Sequence, residues 1–183
     1  MSTLSLIKTA IEQSEDAVQL VCIDGPAGAG KTYLSETLLE HFPQACVVHM
    51  DDLYDGWINA LDDGLTHRLN SWILEPLQRH QPLMIQKYDW ASGSFGTPSE
   101  LAYGDLVILE GVGSAQTIAR EVASTTIFID VKPEEGKKRV LERDGESVAP
   151  FLSEWQIQEA KHHKKHATRE SCDIVLRANW WMD

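Results

Sequence analysis

Cysteine is scarce in this chain of 183 residues: there are three, Cys22, Cys46 and Cys172, odd in number and far apart. No CxxC pair occurs, so neither a disulfide framework nor a cysteine zinc site has support. Each stands in an apolar, strand-like stretch and is expected to be a reduced, buried packing residue. No apolar run approaches the roughly 20 residues that cross a bilayer. Residues 1–12 carry one lysine, Lys8, and neither a continuous apolar block nor a small-residue cleavage pattern, which argues against a signal peptide and for a cytoplasmic protein. Basic residues are few: 16 Lys and Arg against 28 Asp and Glu give a formal net charge of −12. That field repels nucleic acid, whose binding needs clustered cations. A small anion is still admitted, provided its site is local and built from backbone amides plus a few cations. The strings Asn-Lys-x-Asp and Asp-x-x-Gly of guanine-nucleotide switches are missing. So are internal repeats, linkers and low-complexity stretches, and nothing indicates a membrane partner or a homo-oligomer.

What remains is a hydrophobic fraction of 43% in a length suited to one domain, taken as 1–183. Apolar runs alternate with amphipathic stretches. Strands are expected at 18–23, 45–49, 83–86, 106–109, 125–131 and 173–176. Helices are expected at 3–13, 31–41, 65–80, 114–121, 134–144 and 152–168. Residues 93–104, rich in Gly, Ser, Thr and Pro, read as loop or hairpin. Strands separated by helices imply βαβ units, hence an α/β fold: a mostly parallel sheet with helices on both faces, a three-layer sandwich.

Residues 25–32 read Gly-Pro-Ala-Gly-Ala-Gly-Lys-Thr and satisfy G-x-x-x-x-G-K-[ST] at every fixed position. Glycines let backbone N–H groups turn inward around a phosphate without a Cβ in the way. The helix that follows offers its free amides and positive dipole end to the same anion. Gly25, Pro26, Ala27, Gly28, Ala29, Gly30, Lys31, Thr32 and Tyr33 are thus the candidate ATP-binding segment. Lys31 would reach the β- and γ-phosphates, and the Thr32 hydroxyl would ligate Mg²⁺. An apolar strand before the motif and an amphipathic helix after it are the context that this mechanism requires.

A phosphate loop needs a metal partner. Leu106-Val107-Ile108-Leu109-Glu110 is an apolar run ending in an acid, which puts Glu110 at a strand's carboxyl end, where it could hold Mg²⁺ directly or through water. Asp51 and Asp52 follow the 45–49 strand. In open α/β sheets, ligands lie beyond the carboxyl ends of strands, so Gly25, Asp51, Tyr88 and Glu110 should meet at one crevice. Asp51 is the candidate base for an attacking hydroxyl and a further metal ligand.

Through these residues the chain resembles the uridine kinase branch of P-loop kinases, from about residue 18 to 177. Met50-Asp51-Asp52-Leu53-Tyr54 is similar to the family segment whose first acid is the base and whose tyrosine lines the acceptor pocket, which implies those roles for Asp51 and Tyr54. Tyr88-Asp89-Trp90 is similar to the family's Tyr-Asp-Phe element at the nucleoside site. Glu110-Gly111 matches the Glu-Gly after the metal-binding strand. Arg139-Val140-Leu141-Glu142-Arg143-Asp144 looks like the start of a lid, here short and placed around 139–150, with an acceptor-side loop around 88–104. Ser171 to Leu176 resembles the closing strand near the adenine end. Two features depart: Gly93 stands where nucleoside-phosphorylating members carry histidine, and the arginine-rich continuation of the lid is missing. Ile23-Asp24-Gly25-Pro26 also resembles the opening of cytidylate kinases.

The resemblance implies an ATP- and Mg²⁺-dependent kinase acting on a small hydroxyl acceptor, nucleoside-like first. A nucleoside monophosphate kinase is the alternative, with Arg68 and Lys87 as the available cations for a second phosphate. A nucleotide switch or ATPase without a small acceptor is the alternative from another class. Arg139 and Arg143 share i,i+4 spacing, and Arg143 is the candidate for neutralising the transferring phosphoryl group. Trp57 and Trp90 lie in loop-like segments and could stack on a planar acceptor. Trp72 reads as helix core, and Trp180 and Trp181 as cover for an edge or interface. His162 and His166, also i and i+4, read with their lysines as a solvated basic face, since no third metal ligand accompanies them.

Overall fold

A strand buried on both faces of a parallel sheet reads as a largely apolar run, and three segments of this chain, Gln19–Asp24, Leu106–Glu110 and Thr125–Asp130, are buried along almost their whole length. The structure, a computed structural model, describes residues 2–14, 16 and 18–182. Five strands form the central sheet: β1 (Gln19–Asp24), β2 (Cys46–His49), β7 (Leu106–Glu110), β8 (Thr125–Asp130) and β9 (Ile174–Arg177). Their order is β2-β7-β1-β8-β9, and every pairing is parallel. Helices α1 (Thr3–Glu12), α2 (Lys31–His41), α3 (Asp63–Leu69), α4 (Glu75–Gln78), α5 (Thr117–Arg120), α6 (Pro133–Asp144), α7 (Ala149–His166) and α8 (Thr168–Ser171) surround it. Two apolar cores form. One holds Ile7, Ile11, Leu34, Leu38 and the β1 and β8 residues Val21, Ile23, Ile127 and Ile129. The other joins Leu20, Cys22 and Leu109 to Leu65, Leu69, Ile73 and Trp155. Residues of alternate parity along β1 supply the two cores, as the two-residue period of a strand demands. This is the α/β P-loop sandwich anticipated from the sequence.

Four departures have local causes. The strand expected at 83–86 forms as β3 (Leu83–Ile85) but leaves the parallel sheet and pairs antiparallel with β6 (Ser99–Leu101). Only Leu83 and Ile85 are buried while Met84 is exposed, the alternation of a strand covered on one face. The hairpin β4 (Tyr88–Asp89) and β5 (Ser94–Phe95) lies between them. The helix expected at 65–80 is continuous from 63 to 78 but contains a π turn at Asn70–Leu74. Pro76 has no N–H for the i−4 bond to Trp72, and a wider turn absorbs that loss. The helix expected at 114–121 shrinks to α5, because the amides of Gly113 and Ala115 donate to Asp24 instead of entering a helix. Cys22 is buried, whereas Cys46 and Cys172 are only half-buried, since the one lies on edge strand β2 and the other just before edge strand β9.

Candidate active site

The turn after β1 is dictated by close backbone approach. Gly25 has φ +138, and a Cβ there would stand 2.3 Å from the Ile129 carbonyl oxygen. Gly28, at φ +77, would collide in the same way with the Gly136 carbonyl at 2.3 Å. Only glycine satisfies both the conformation and the space. Lys31 opens α2 and folds back so that its Nζ donates to the carbonyls of Gly25 (2.7 Å) and Pro26 (2.9 Å). Thr32 is exposed, and its hydroxyl donates to Glu110 Oε1 at 3.3 Å.

Register explains the second half of the centre. β7 pairs with both β1 and β2, aligning Glu110 with Ile23 and with His49. His49 Nδ1 lies 2.5 Å from Glu110 Oε1, and this hydrogen bond raises the imidazole pKa. Asp51 follows β2 by two residues. Protein walls around its carboxyl, then the charge of Glu110, push its pKa up, while Lys31, Arg143 and His49 pull it back. The carboxylate is nonetheless open to solvent on the cavity side, so that upward shift is tempered by water. A carboxyl held above its ordinary range is suited to accept a proton near neutrality.

Phosphate loop and carboxylates line a single cavity of about 840 Å³. Its lining includes Gly28, Gly30, Lys31, Thr32, Asp51 and Glu110. One end is aromatic: Tyr54, Trp57, Trp90 and Trp155, with Val148 and Leu152. Trp57 is the hub, stacked on Phe151 (centroids 5.2 Å, planes 11° apart) and angled against Trp90 (5.2 Å) and Trp155 (5.7 Å). Tyr54 offers only its ring, because its hydroxyl donates to the Val112 carbonyl at 2.8 Å. The other end is closed by Trp181, packed 3.3 Å from where a Gly30 Cβ would lie and edge-on to Tyr33 at 5.0 Å, with Asn179 and Arg139 beside it.

Arg143 lines the cavity and forms a two-point pair with Asp144, both contacts at 2.7 Å, which raises its pKa further. Arg139 is committed to the loop and chain end, bonding the Gly28 carbonyl (3.3 Å), Asn179 (2.8 Å) and Glu135. Of the residues singled out from sequence, Lys31, Thr32, Tyr33, Asp51, Tyr54, Trp57, Trp90, Glu110 and Arg143 share the cavity. Tyr88 stands behind it, against Trp90 (5.2 Å) and Phe95 (5.2 Å). Asp52 turns away to Lys87, at 2.7 Å. Arg68 bonds the Leu53 carbonyl (2.8 Å) and lies over Phe95, so neither Arg68 nor Lys87 faces the cavity.

Sequence reasoning missed His49, Trp155, Glu159, His163 and Trp181. The signal for three of them was present: Trp155, Glu159 and His163 repeat every fourth residue along α7, the spacing of one helix face. The expected solvated histidine face is corrected by the same geometry. His162 is buried and His163 meets Asp24 at 3.0 Å, while Lys161, Lys164 and Lys165 take the exposed positions. His162 and His166 stack at 4.4 Å, but tautomers argue against a shared metal. His166 Nδ1 accepts from the Thr117 amide at 3.2 Å, which puts the proton on Nε2 and leaves no second lone pair. Among the described residues no group of three or more His, Cys, Asp or Glu could hold a metal. A nucleotide-borne Mg²⁺ needs only one or two protein oxygens, and the adjacent Thr32 hydroxyl and Glu110 carboxylate fit that donor set.

No protein-family model matches the sequence. An inorganic pyrophosphatase of Arabidopsis thaliana is 31% identical over 110 residues, 56% of this chain and 17% of that protein. A second pyrophosphatase of that plant is 31% identical over 111 residues, 56% of this chain and 16% of that protein. The chain spans about a sixth of the length of the curated relatives it matches. Among solved structures, a possible uridine kinase from Bacillus stearothermophilus superposes with TM-score 0.70 at 17% identity, covering 94% of this chain and 96% of that one. A candidate fructose transport system kinase from a Silicibacter species gives TM-score 0.64 at 20% identity over 96% and 99%. No helix among the described residues is long and apolar enough to cross a membrane. The chain has the α/β P-loop fold that these two solved structures share.

Proposed function

We propose that the chain is an ATP-dependent kinase that transfers the γ-phosphoryl group to a hydroxyl of a small, nucleoside-like acceptor. The observation that carries this reading is the single cavity in which Lys31 and Thr32 share walls with Asp51 and an aromatic slot. An ATPase has no need of the slot, and a switch has no need of a base facing it.

ATP would lie with its phosphates in the loop and its base toward Trp181 and Tyr33. Thr32 and Glu110, with Asp51 nearby, would hold Mg²⁺, which supplies charge neutralisation to the phosphates when bound. Tyr54, Trp57 and Trp90 would receive the flat face of the acceptor and exclude water. Asp51 takes the acceptor proton as the oxygen bonds to the γ-phosphorus. The bond to the β–γ bridging oxygen breaks, and ADP leaves. Lys31 and Arg143 face the charge that spreads over the transferring group, so catalysis rests on positioning and electrostatics. The three cysteines, all free, accord with a cytoplasmic setting for this ATP-consuming reaction.

A nucleoside monophosphate acceptor is disfavoured by the commitment of Arg68 and Lys87 outside the cavity. The test is ADP release by the purified protein with ATP and Mg²⁺ across nucleosides, nucleoside monophosphates, sugar phosphates, pantothenate and pyrophosphate. One unphosphorylated acceptor should stimulate release, and Lys31→Ala should lower that rate about 10²–10³-fold. Stimulation only by phosphorylated compounds, or hydrolysis indifferent to every acceptor, would overturn the assignment.

A further inference from the structure

The phosphate loop is gripped from outside its own turn. Ala27 N–H donates to Glu159 Oε2 at 3.0 Å, a contact between residues 132 apart in sequence. At the end of β1 the buried Asp24 carboxylate accepts from the amides of Gly25 (2.7 Å), Ala115 (2.9 Å) and Gly113 (3.0 Å) and meets His163 Nε2 at 3.0 Å. Burial alone would raise the Asp24 pKa, but His163 and those amides overcome it and hold the carboxylate ionised. Glu159 and His163 lie one turn apart on α7 and reach the loop and its strand from the same helix face. Helix α6 presses on the same two loop residues. A Cβ on Gly136 would stand 2.5 Å from the Ala27 carbonyl oxygen, and Arg139 donates to the Gly28 carbonyl at 3.3 Å. The loop at residues 27 and 28 is therefore held by both of the helices that segment 145–148 connects.

Glu159 is 5% exposed, and a buried carboxylate is costly unless its partners are in place. Burial raises its pKa, while the Ala27 amide, the charges of Lys31 and His163 and the Trp155 side chain pull it back; it does not line the cavity, so it touches neither substrate. The same helix face carries Val148, Leu152 and Trp155 on the acceptor wall, then Glu159 and His163 at the loop. We propose that Glu159 is a positioning residue for the phosphate loop: by fixing the Ala27 amide away from the cavity it keeps the following amides, through Thr32, directed at the phosphates. The inference rests on the kinase reading for what the loop binds.

The experiment measures ATP affinity by fluorescence titration of the full chain together with the ¹⁵N-amide resonance of Ala27. The variants are Glu159→Ala, Glu159→Gln and, as control on the exposed face of the same helix, Glu154→Ala. Loss of this buried hydrogen bond should weaken ATP about tenfold in Glu159→Ala. It should raise KM for ATP well above any change in KM for acceptor and move the Ala27 amide resonance upfield. Gln still presents an accepting oxygen and should recover most of the affinity, while Glu154→Ala should match wild type. Should Glu159→Ala not fold, Glu159→Asp carries the test, because its shorter side chain leaves Ala27 unbonded and must weaken ATP in a folded protein. Wild-type ATP affinity with an unmoved Ala27 resonance in the Ala variant would overturn the inference. So would equal loss in both KM values without recovery by Gln. A wild-type protein that bound no ATP would instead sink the kinase reading, and the Ala27 resonance would still judge the contact.

Discussion

The two ends of the cavity are made of different material. At the phosphate end the chemistry comes from backbone: glycines forced by neighbours at 2.3 Å, amides capped by buried carboxylates, and strands aligned by a parallel ladder. At the aromatic end, the proposed acceptor site, it comes from side chains on four separate segments, 51–57, 90, 143–144 and 148–155, joined largely by ring contacts near 5 Å. Backbone geometry leaves little room for variation, whereas a ring can be exchanged for another ring. The phosphate end should thus fail sharply when perturbed, and the acceptor end should change its preference first.

Asp51 joins the two ends and should show the largest effect. Asp51→Asn keeps the shape and removes the proposed base, and should lower kcat about 10²–10⁴-fold with little change in ATP affinity. Its carboxyl is raised in the folded protein by burial and by Glu110. A base works ionised, so kcat/KM in the wild type should fall as pH drops through a value above the ordinary carboxylate range. An acid limb at the ordinary value, or one that persists in Asp51→Asn, would assign the proton to another group.

Gly136 tests the stiffness of the phosphate end without touching its motif. Gly136→Ala drives a Cβ to 2.5 Å from the Ala27 carbonyl oxygen, a backbone atom that cannot swing away. The variant should lose about 1–3 kcal/mol in denaturant titration, as overpacked sites do. It should bind ATP more weakly than its stability alone explains. Unchanged stability would mean that α6 and the loop slide past each other, and the contrast between the two ends would weaken.

The same contrast decides what was legible in the sequence. Gly25 through Thr32 announce themselves because each residue type answers a local demand, a positive φ, an open approach or a cation. Leu106 to Glu110 and Val18 to Ile23 are legible because burial on both faces writes a continuous apolar run. Trp181 was not, since its place over Gly30 depends on where β9 ends and the chain turns at Asn179, whose φ is +72. For Glu159 the helical spacing marks its face but not its partner, because a helical acid looks the same in sequence whether it faces water or a loop amide 132 residues away. Leu83 to Ile85 misled for a related reason: a short apolar run specifies a strand but not its partner, and β6 took it.

Two tryptophan variants sharpen the division. Trp181→Ala should weaken ATP about tenfold and leave acceptor KM unchanged, given the roughly 1–3 kcal/mol that a stacked base is worth. Trp57→Ala should do the reverse, because its ring contacts lie with Trp90, Phe151 and Trp155. If both variants moved both constants together, the cavity would behave as one site with no separate ends.

The smallest effect concerns stability away from the chemistry. Burial, with His162 and Lys165 adding to it, lowers the His166 pKa from its ordinary 6.5 to about 4 in the folded protein. In the unfolded chain the imidazole takes its proton near 6.5, so the unfolded state binds more protons across the interval between the two values. Stability from this group is therefore complete above pH 6.5 and is lost as pH falls toward 4. Thermal midpoints should drop between those values, and His166→Gln should flatten that part of the curve while leaving ATP binding intact. His162, whose pKa burial also lowers, should steepen the same slope and not a different one, because its ring stacks on His166 at 4.4 Å. A His166→Gln curve parallel to wild type would show that the ring is protonated alike in both states, and that the packing of Thr117 and Arg120 around it leaves it open to water.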